Sequence, residues 1–316
     1  MAALRRSARS LSHLAGWLVV ALALGFLGRE LWRSNPWTLA GAHAPELALA
    51  IALGTVAYGL AGFLLAEAWR QLLGPGPAEA SPRHHRALYG RTQIAKYLPG
   101  NVFHLVGRQM LGRSLGHAHG ALALASLAET LSLLVVAGVL AAPLVWPRIG
   151  AALEASGWLV LAVAAIVIAL VWLERRRIPG GGPPVAASLR GKIGTWASRA
   201  LRAGLLHVTF FTAAGLILLG LAAAIQAPGA RALAPTTAIA ALAVAWLAGF
   251  VVPGSSAGVG VREAVLVLTL EPHLTSEGAM LLALALRLIT TFGDLLFFAV
   301  CSVRSWNPPP PRARVA

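Results

Sequence analysis

Leu47–Ala66, Gly120–Ala142 and Leu205–Ile225 are apolar runs of about 20 residues, the length a helix needs to cross a bilayer. Lipid offers a backbone no hydrogen-bond partner, so such runs must satisfy their own N–H and C=O groups as helices. The remainder of the 316-residue chain is of the same kind. It is 58% hydrophobic and 12% charged, with a mean hydropathy of +0.73, where a soluble domain would carry roughly a quarter charged residues. We read an all-α polytopic membrane protein, a single integral membrane domain over 1–316, with no room for a soluble catalytic domain. Cys301, the one cysteine, excludes an internal disulfide and reads as a small apolar side chain near a helix end.

A net charge of +15 could suggest nucleic acid, but the placement of the 26 Lys and Arg residues argues otherwise. Of these, 20 fall in four patches: Arg5 to Arg9, Arg70 to Arg113, Arg175 to Arg202 and Arg304 to Arg314. The intervening loops hold only Arg29, Arg33, Arg148 and Arg231, while Arg262 and Arg287 lie within apolar stretches. Side-to-side contrast of this kind is the positive-inside pattern. It makes the patches and both termini cytoplasmic, and draws anionic lipid head groups to that side.

The basic start followed by Leu14–Gly28 resembles a signal peptide, but Arg29-Glu30 stands where a small-residue cleavage site belongs. We read an uncleaved first span there. Trp158–Leu173 crosses back after Gly120–Ala142. Glu174–Arg202 carries Arg175-Arg176-Arg177 and Gly180-Gly181-Gly182-Pro183-Pro184, and reads as a flexible cytoplasmic linker. Linker 174–203 then joins two halves, 1–173 and 204–304. In the second half Thr237–Val252 heads inward, Val261–Leu270 is a short helix, and Gly278–Val303 returns to the cytoplasm. About seven or eight membrane segments result.

Two of these segments are broken in the same way. Lys96-Tyr97-Leu98-Pro99-Gly100-Asn101 leads to Gly107-Arg108, and Pro253-Gly254 leads through Gly258 and Gly260 to Arg262-Glu263. In each, an arginine follows nine residues after the proline. Basic residues flank the first break, so Ala87–Gly116 dips in from the cytoplasm and returns; the second is followed by Glu271–Glu277, a loop without Lys or Arg, and opens outward. Opposite entry with matched spacing is an inverted repeat, and broken backbone at membrane depth belongs where it lines a cavity.

The charges inside the membrane point to the cavity's contents. Glu129 lies midway through its span, and Arg287 and Asp294 stand seven residues apart on one helix face. Each such charge costs roughly 2.5–3.5 kcal/mol at a helix centre. Either these groups pair with one another and hold helices together, or they line a hydrated groove. Arg108 and Arg262, each beside a helix start, suit phosphate; Glu129, Glu263 and Asp294 suit an amine. His84, His85, His117 and His119 read as interfacial residues in basic loops, not metal ligands. His104 and His207 are placed to hydrogen-bond locally. No Walker loop, nucleophile elbow or dinucleotide fingerprint is present in the sequence.

Ala95-Lys96-Tyr97-Leu98-Pro99-Gly100-Asn101-Val102 with Gly107-Arg108, and Pro253-Gly254 with Gly258, Gly260 and Arg262-Glu263, resemble the two hallmark motifs of the lysylphosphatidylglycerol synthase transmembrane-region family. This is the flippase-like membrane domain of the multiple peptide resistance factor, also found as free-standing and hopanoid-associated proteins. The resemblance covers essentially the whole chain; Ser255-Ser256 departs from it, standing where a glycine is common. It implies translocation of a polar-headgroup lipid, phospholipid or polyprenyl-linked, between leaflets. Lacking a soluble aminoacyl-transferase domain, the chain is expected not to be an enzyme and to need no cofactor, metal or catalytic residue. The expected partners are membrane lipids with anionic or zwitterionic head groups, a second copy of the chain, or a lipid-synthesis enzyme. The alternatives are a membrane enzyme or accessory subunit of glycolipid or hopanoid assembly, and a purely structural partner.

Overall fold

Eight helices and one 3-10 turn, with no strand, make up the described part of the computed structural model: residues 41, 44–76, 80–97, 102–146, 183–225, 232–252, 258 and 260–303, side chains in 183–225 from 195 onward. The expected spans Leu14–Gly28 and Trp158–Leu173 lie outside these residues. So do Pro99, Gly100, Asn101, Pro253 and Gly254.

The helices run α1 Ala44–Leu73, α2 Pro82–Gln93, a 3-10 turn Ile94–Tyr97, and α3 Phe103–Ser114. Then follow α4 His119–Trp146, α5 Pro183–Ile225, α6 Pro235–Val251, α7 Val261–Leu270 and α8 Ser276–Val303. Four of them are long and apolar enough to cross a membrane: α1, α4, the Thr195–Ile225 part of α5, and α8. The remaining helices are shorter, α2 and α3 at 12 residues each flanking the first break and α7 at 10 following the second.

One sequence expectation is corrected here. The flexible linker was to run to Arg202, yet α5 begins at Pro183. Proline is well placed at a helix start, where its fixed φ fits and its missing N–H is not needed. The Pro183-Pro184 pair therefore opens a helix.

Exposed leucines and valines give the outer faces. On α1 these are Leu49, Leu53, Val56 and Leu60; on α4 they are Leu124, Leu127, Leu131, Val135 and Val139. Spacings of three and four residues put each set on one stripe, a face suited to lipid tails. The opposite face of α1 carries Gly54, Gly59 and Gly62 against α8. A Cβ on Gly293 would sit 3.1 Å from both Gly59 N and Thr55 O, so the two backbones meet with no side chain between them. Close approach through small residues is how helices associate where lipid removes the hydrophobic drive. Helix α8 also packs on α2, α5, α7 and the 3-10 turn, and is the most enclosed of the four long helices.

At the end of the bundle where α2 begins, His85 and His117 meet, Nε2 to Nε2, at 2.8 Å, and His85 Nδ1 lies 3.0 Å from the Ser81 carbonyl. His85 therefore donates from Nδ1 and accepts at Nε2, with His117 as donor. Burial holds both rings below the usual imidazole range and keeps them neutral. The sequence placed His84 and His85 in a loop; they form the first turn of α2, which Ser81-Pro82 opens.

Candidate functional site

The charged residues at membrane depth fall into two groups. The first is sealed. Arg108 on α3 and Glu129 on α4 are 2% and 3% exposed. The Arg108 guanidinium donates through Nη1 to Glu129 Oε2 and through Nη2 to Gln93 Oε1 at 2.8 Å. Tyr89 completes the carboxylate, its hydroxyl donating to Glu129 Oε1 at 2.7 Å, and its ring lies 3.9 Å from Arg108 Cζ. Trp69 stands behind, 5.8 Å away. The glutamate thus meets a cation and a hydroxyl, and the arginine has an anion, an amide oxygen and an aromatic face. Only the Arg108 Nε is left buried without a partner among the described residues, and the other contacts make a buried pair tolerable.

The second group lies at and beside a small open cavity. Tyr58 of α1, Phe210 and Phe211 of α5, Trp246 of α6, Arg262 and Glu263 of α7, and Arg287 and Thr290 of α8 line it, with alanines and leucines between. Two glycines shape its arginine. Gly258 and Gly260 hold φ of +76° and +81°, which residues with a side chain rarely adopt. A Cβ on Gly249 or Gly258 would come within 2.7 Å of the Arg262 Nε, so the side chain lies across both glycines.

Glu263 uses both oxygens. Oε2 accepts from the Gly260 N–H at 2.7 Å, capping α7, and Oε1 pairs with Arg287 Nη1 at 3.4 Å. The sequence reading gave the start of this helix to a phosphate; the helix's own glutamate occupies it. Next to the pocket, Asp294 Oδ2 takes Lys96 Nζ and the Tyr97 hydroxyl, each at 2.7 Å. The acid that Arg287 pairs with is therefore Glu263 of α7.

Arg262 differs from the others. No carboxylate lies within ion-pair distance of it among the described residues. Its Nε, like that of Arg108, is buried without a hydrogen-bond partner among the described residues, and its Cζ lies 5.9 Å from the Trp246 ring. Lys96, Arg262 and Arg287 make three cations against the two carboxylates Glu263 and Asp294. Among the described residues, one positive charge is left over at the cavity wall. Such a wall attracts an anion.

The structure thus brings Lys96, Arg262, Glu263, Arg287 and Asp294 together with Gly258 and Gly260. Arg108 and Glu129 lie apart from this group and do not line the cavity. His207 bonds locally as expected, Nδ1 to Ser132 Oγ at 2.8 Å. Sequence reasoning missed the tyrosines. The chain has three, and all three stand at these charges: Tyr58 in the cavity wall, Tyr89 on Glu129 and Tyr97 on Asp294. Three tyrosines within or beside apolar runs were the available signal. Comparison of the sequence with protein-family models and with curated proteins gave no match.

Proposed function

We propose that this protein moves a lipid with an anionic or zwitterionic head group between membrane leaflets, as the lysylphosphatidylglycerol synthase transmembrane-region resemblance implies. The observation that carries the reading is Arg262, a cation without a carboxylate partner among the described residues, in a cavity walled by four aromatic rings. A phosphate would neutralise it. Tyr58, Phe210, Phe211 and Trp246 would shelter the glycerol or sugar portion, and the tails would stay in lipid beside the bundle. The three membrane-depth acids each hold a cation, Glu129 on Arg108, Glu263 on Arg287 and Asp294 on Lys96. None is paired with another acid, and each is neutralised by its cation, an arrangement that favours binding and movement over acid–base chemistry.

The two broken segments then act as gates that open in turn, in the manner of inverted-repeat transporters. The test is flipping of head-group-labelled phosphatidylglycerol, phosphatidylethanolamine and polyprenyl phosphate in proteoliposomes. At least one should move faster than in empty vesicles, and Arg262→Ala should bring that rate to background with the protein still folded. Flipping by Arg262→Ala at the wild-type rate would remove the assignment.

A further inference from the structure

The 3-10 turn Ile94–Tyr97 leads directly into the first Pro-Gly pair, and it leans on the same two α8 charges that serve the cavity. Tyr97 spans the space between them. Its ring lies 5.9 Å from Arg287 Cζ, and its hydroxyl donates to Asp294 Oδ2 at 2.7 Å. Lys96 Nζ holds that same oxygen at 2.7 Å. On the other side, Arg287 meets Glu263, which caps α7 just after the second break. A chain of contacts therefore runs from Gly260 through Glu263, Arg287, Tyr97 and Asp294 to Lys96, polar throughout except for the cation–π step from Arg287 to the Tyr97 ring. One end stands after the second break and the other before the first.

We propose that Tyr97 is a positioning residue that couples occupancy of the Arg262 cavity to the first broken segment. The proposal rests on reading that cavity as an anion site. An anion beside Arg262 places negative charge next to Glu263 and Arg287, the pair on the cavity wall. The Arg287 guanidinium is then shared between Glu263 and the newcomer, and its place over the Tyr97 ring changes. Tyr97 and Lys96 share one carboxylate oxygen, so a shift of the phenol alters the hold on the lysine. Hydrogen bonds in dry surroundings are strong enough to pass such a change on. The turn is only four residues long and stands between α2 and the first Pro-Gly pair.

The test uses the full chain in lipid nanodiscs with Cys301→Ser and Val102→Cys; Val102 is 51% exposed just past the first break. Glycerol phosphate is the probe. Its binding is measured by calorimetric titration, and its effect on the first break by the rate at which a maleimide labels position 102. Saturating glycerol phosphate should change that rate by about fivefold, the low end of coupling between linked sites. Tyr97→Leu should abolish the change while the titrated affinity stays within about twofold, well below that coupling. Tyr97→Phe keeps the ring under Arg287 and removes only the bond to Asp294. It should also lose the response, and it serves if the leucine variant does not fold. Binding without any change at position 102, or an undiminished change in both variants, would overturn the coupling and leave the cavity reading intact. Glycerol phosphate that fails to bind, or binds Arg262→Ala equally well, would remove the cavity reading and the coupling with it.

Discussion

At the scale of single residues, two arginines that look alike in the sequence have opposite surroundings. Arg108 has its anion within the protein; Arg262 has none among the described residues. Breaking a buried pair from one side strands the other charge and costs roughly 3–5 kcal/mol. Arg108→Ala and Glu129→Gln should each lower thermal stability in detergent by that order, and the double variant should cost clearly less than the two losses added. Strict additivity would show that the pair does not act as one. Arg262→Ala should change stability by less than about 1 kcal/mol, since it strands no charge. Arg108 therefore reads as part of the framework and Arg262 as part of the site.

At the scale of elements, α8 organises the bundle. Its Gly293 meets Gly59 of α1 backbone to backbone, and its Arg287 and Asp294 bind the segments beside the two breaks. A methyl group at Gly293 would face Gly59 N, Thr55 O and the Tyr58 ring, none of which is a flexible chain end. Forcing extra volume into such a contact costs typically about 1–3 kcal/mol. Gly293→Ala should therefore lower the unfolding temperature and, by moving Tyr58, weaken whatever the cavity binds. Gly220→Ala on α5 meets open space and should leave stability unchanged or slightly raised. Equal effects of the two substitutions would mean that α1 and α8 do not meet as described.

At the scale of the whole molecule, the inverted arrangement of the two breaks rests on charge. Arg86 and Arg91 precede the first break and Arg113 follows it, whereas Glu271–Glu277 after the second has no basic residue. From the positive-inside bias we expect the first to open to the cytoplasm and the second to the outside. In a Cys301→Ser background, a thiol at position 101 should react with a membrane-impermeant reagent from the cytoplasmic side alone. One at position 255 should react from the outside. Reaction of both from one side only would end the inverted-repeat reading and the two-gate mechanism with it.

What could be read from the sequence was whatever a short stretch decides for itself. The all-helical architecture, the span through Gly120–Ala142, the short helix Val261–Leu270 and the return through Gly278–Val303 follow from local apolar length and from prolines and glycines that stop a helix. The candidate charges were legible too, because a charge inside an apolar run stands out. The start of α5 was not, since Pro183-Pro184 reads equally as linker or as first turn. Above all, the pairing of those charges was hidden. Tyr97 and Asp294 are 197 positions apart, and nothing within either segment names the other as its partner. Only packing of α8 against the 3-10 turn, α1 and α7 decides which carboxylates are neutralised, and so which arginine is left for an anion. Neutralisation depends on distances of a few ångströms between segments far apart in the chain, and those distances are a property of the tertiary structure.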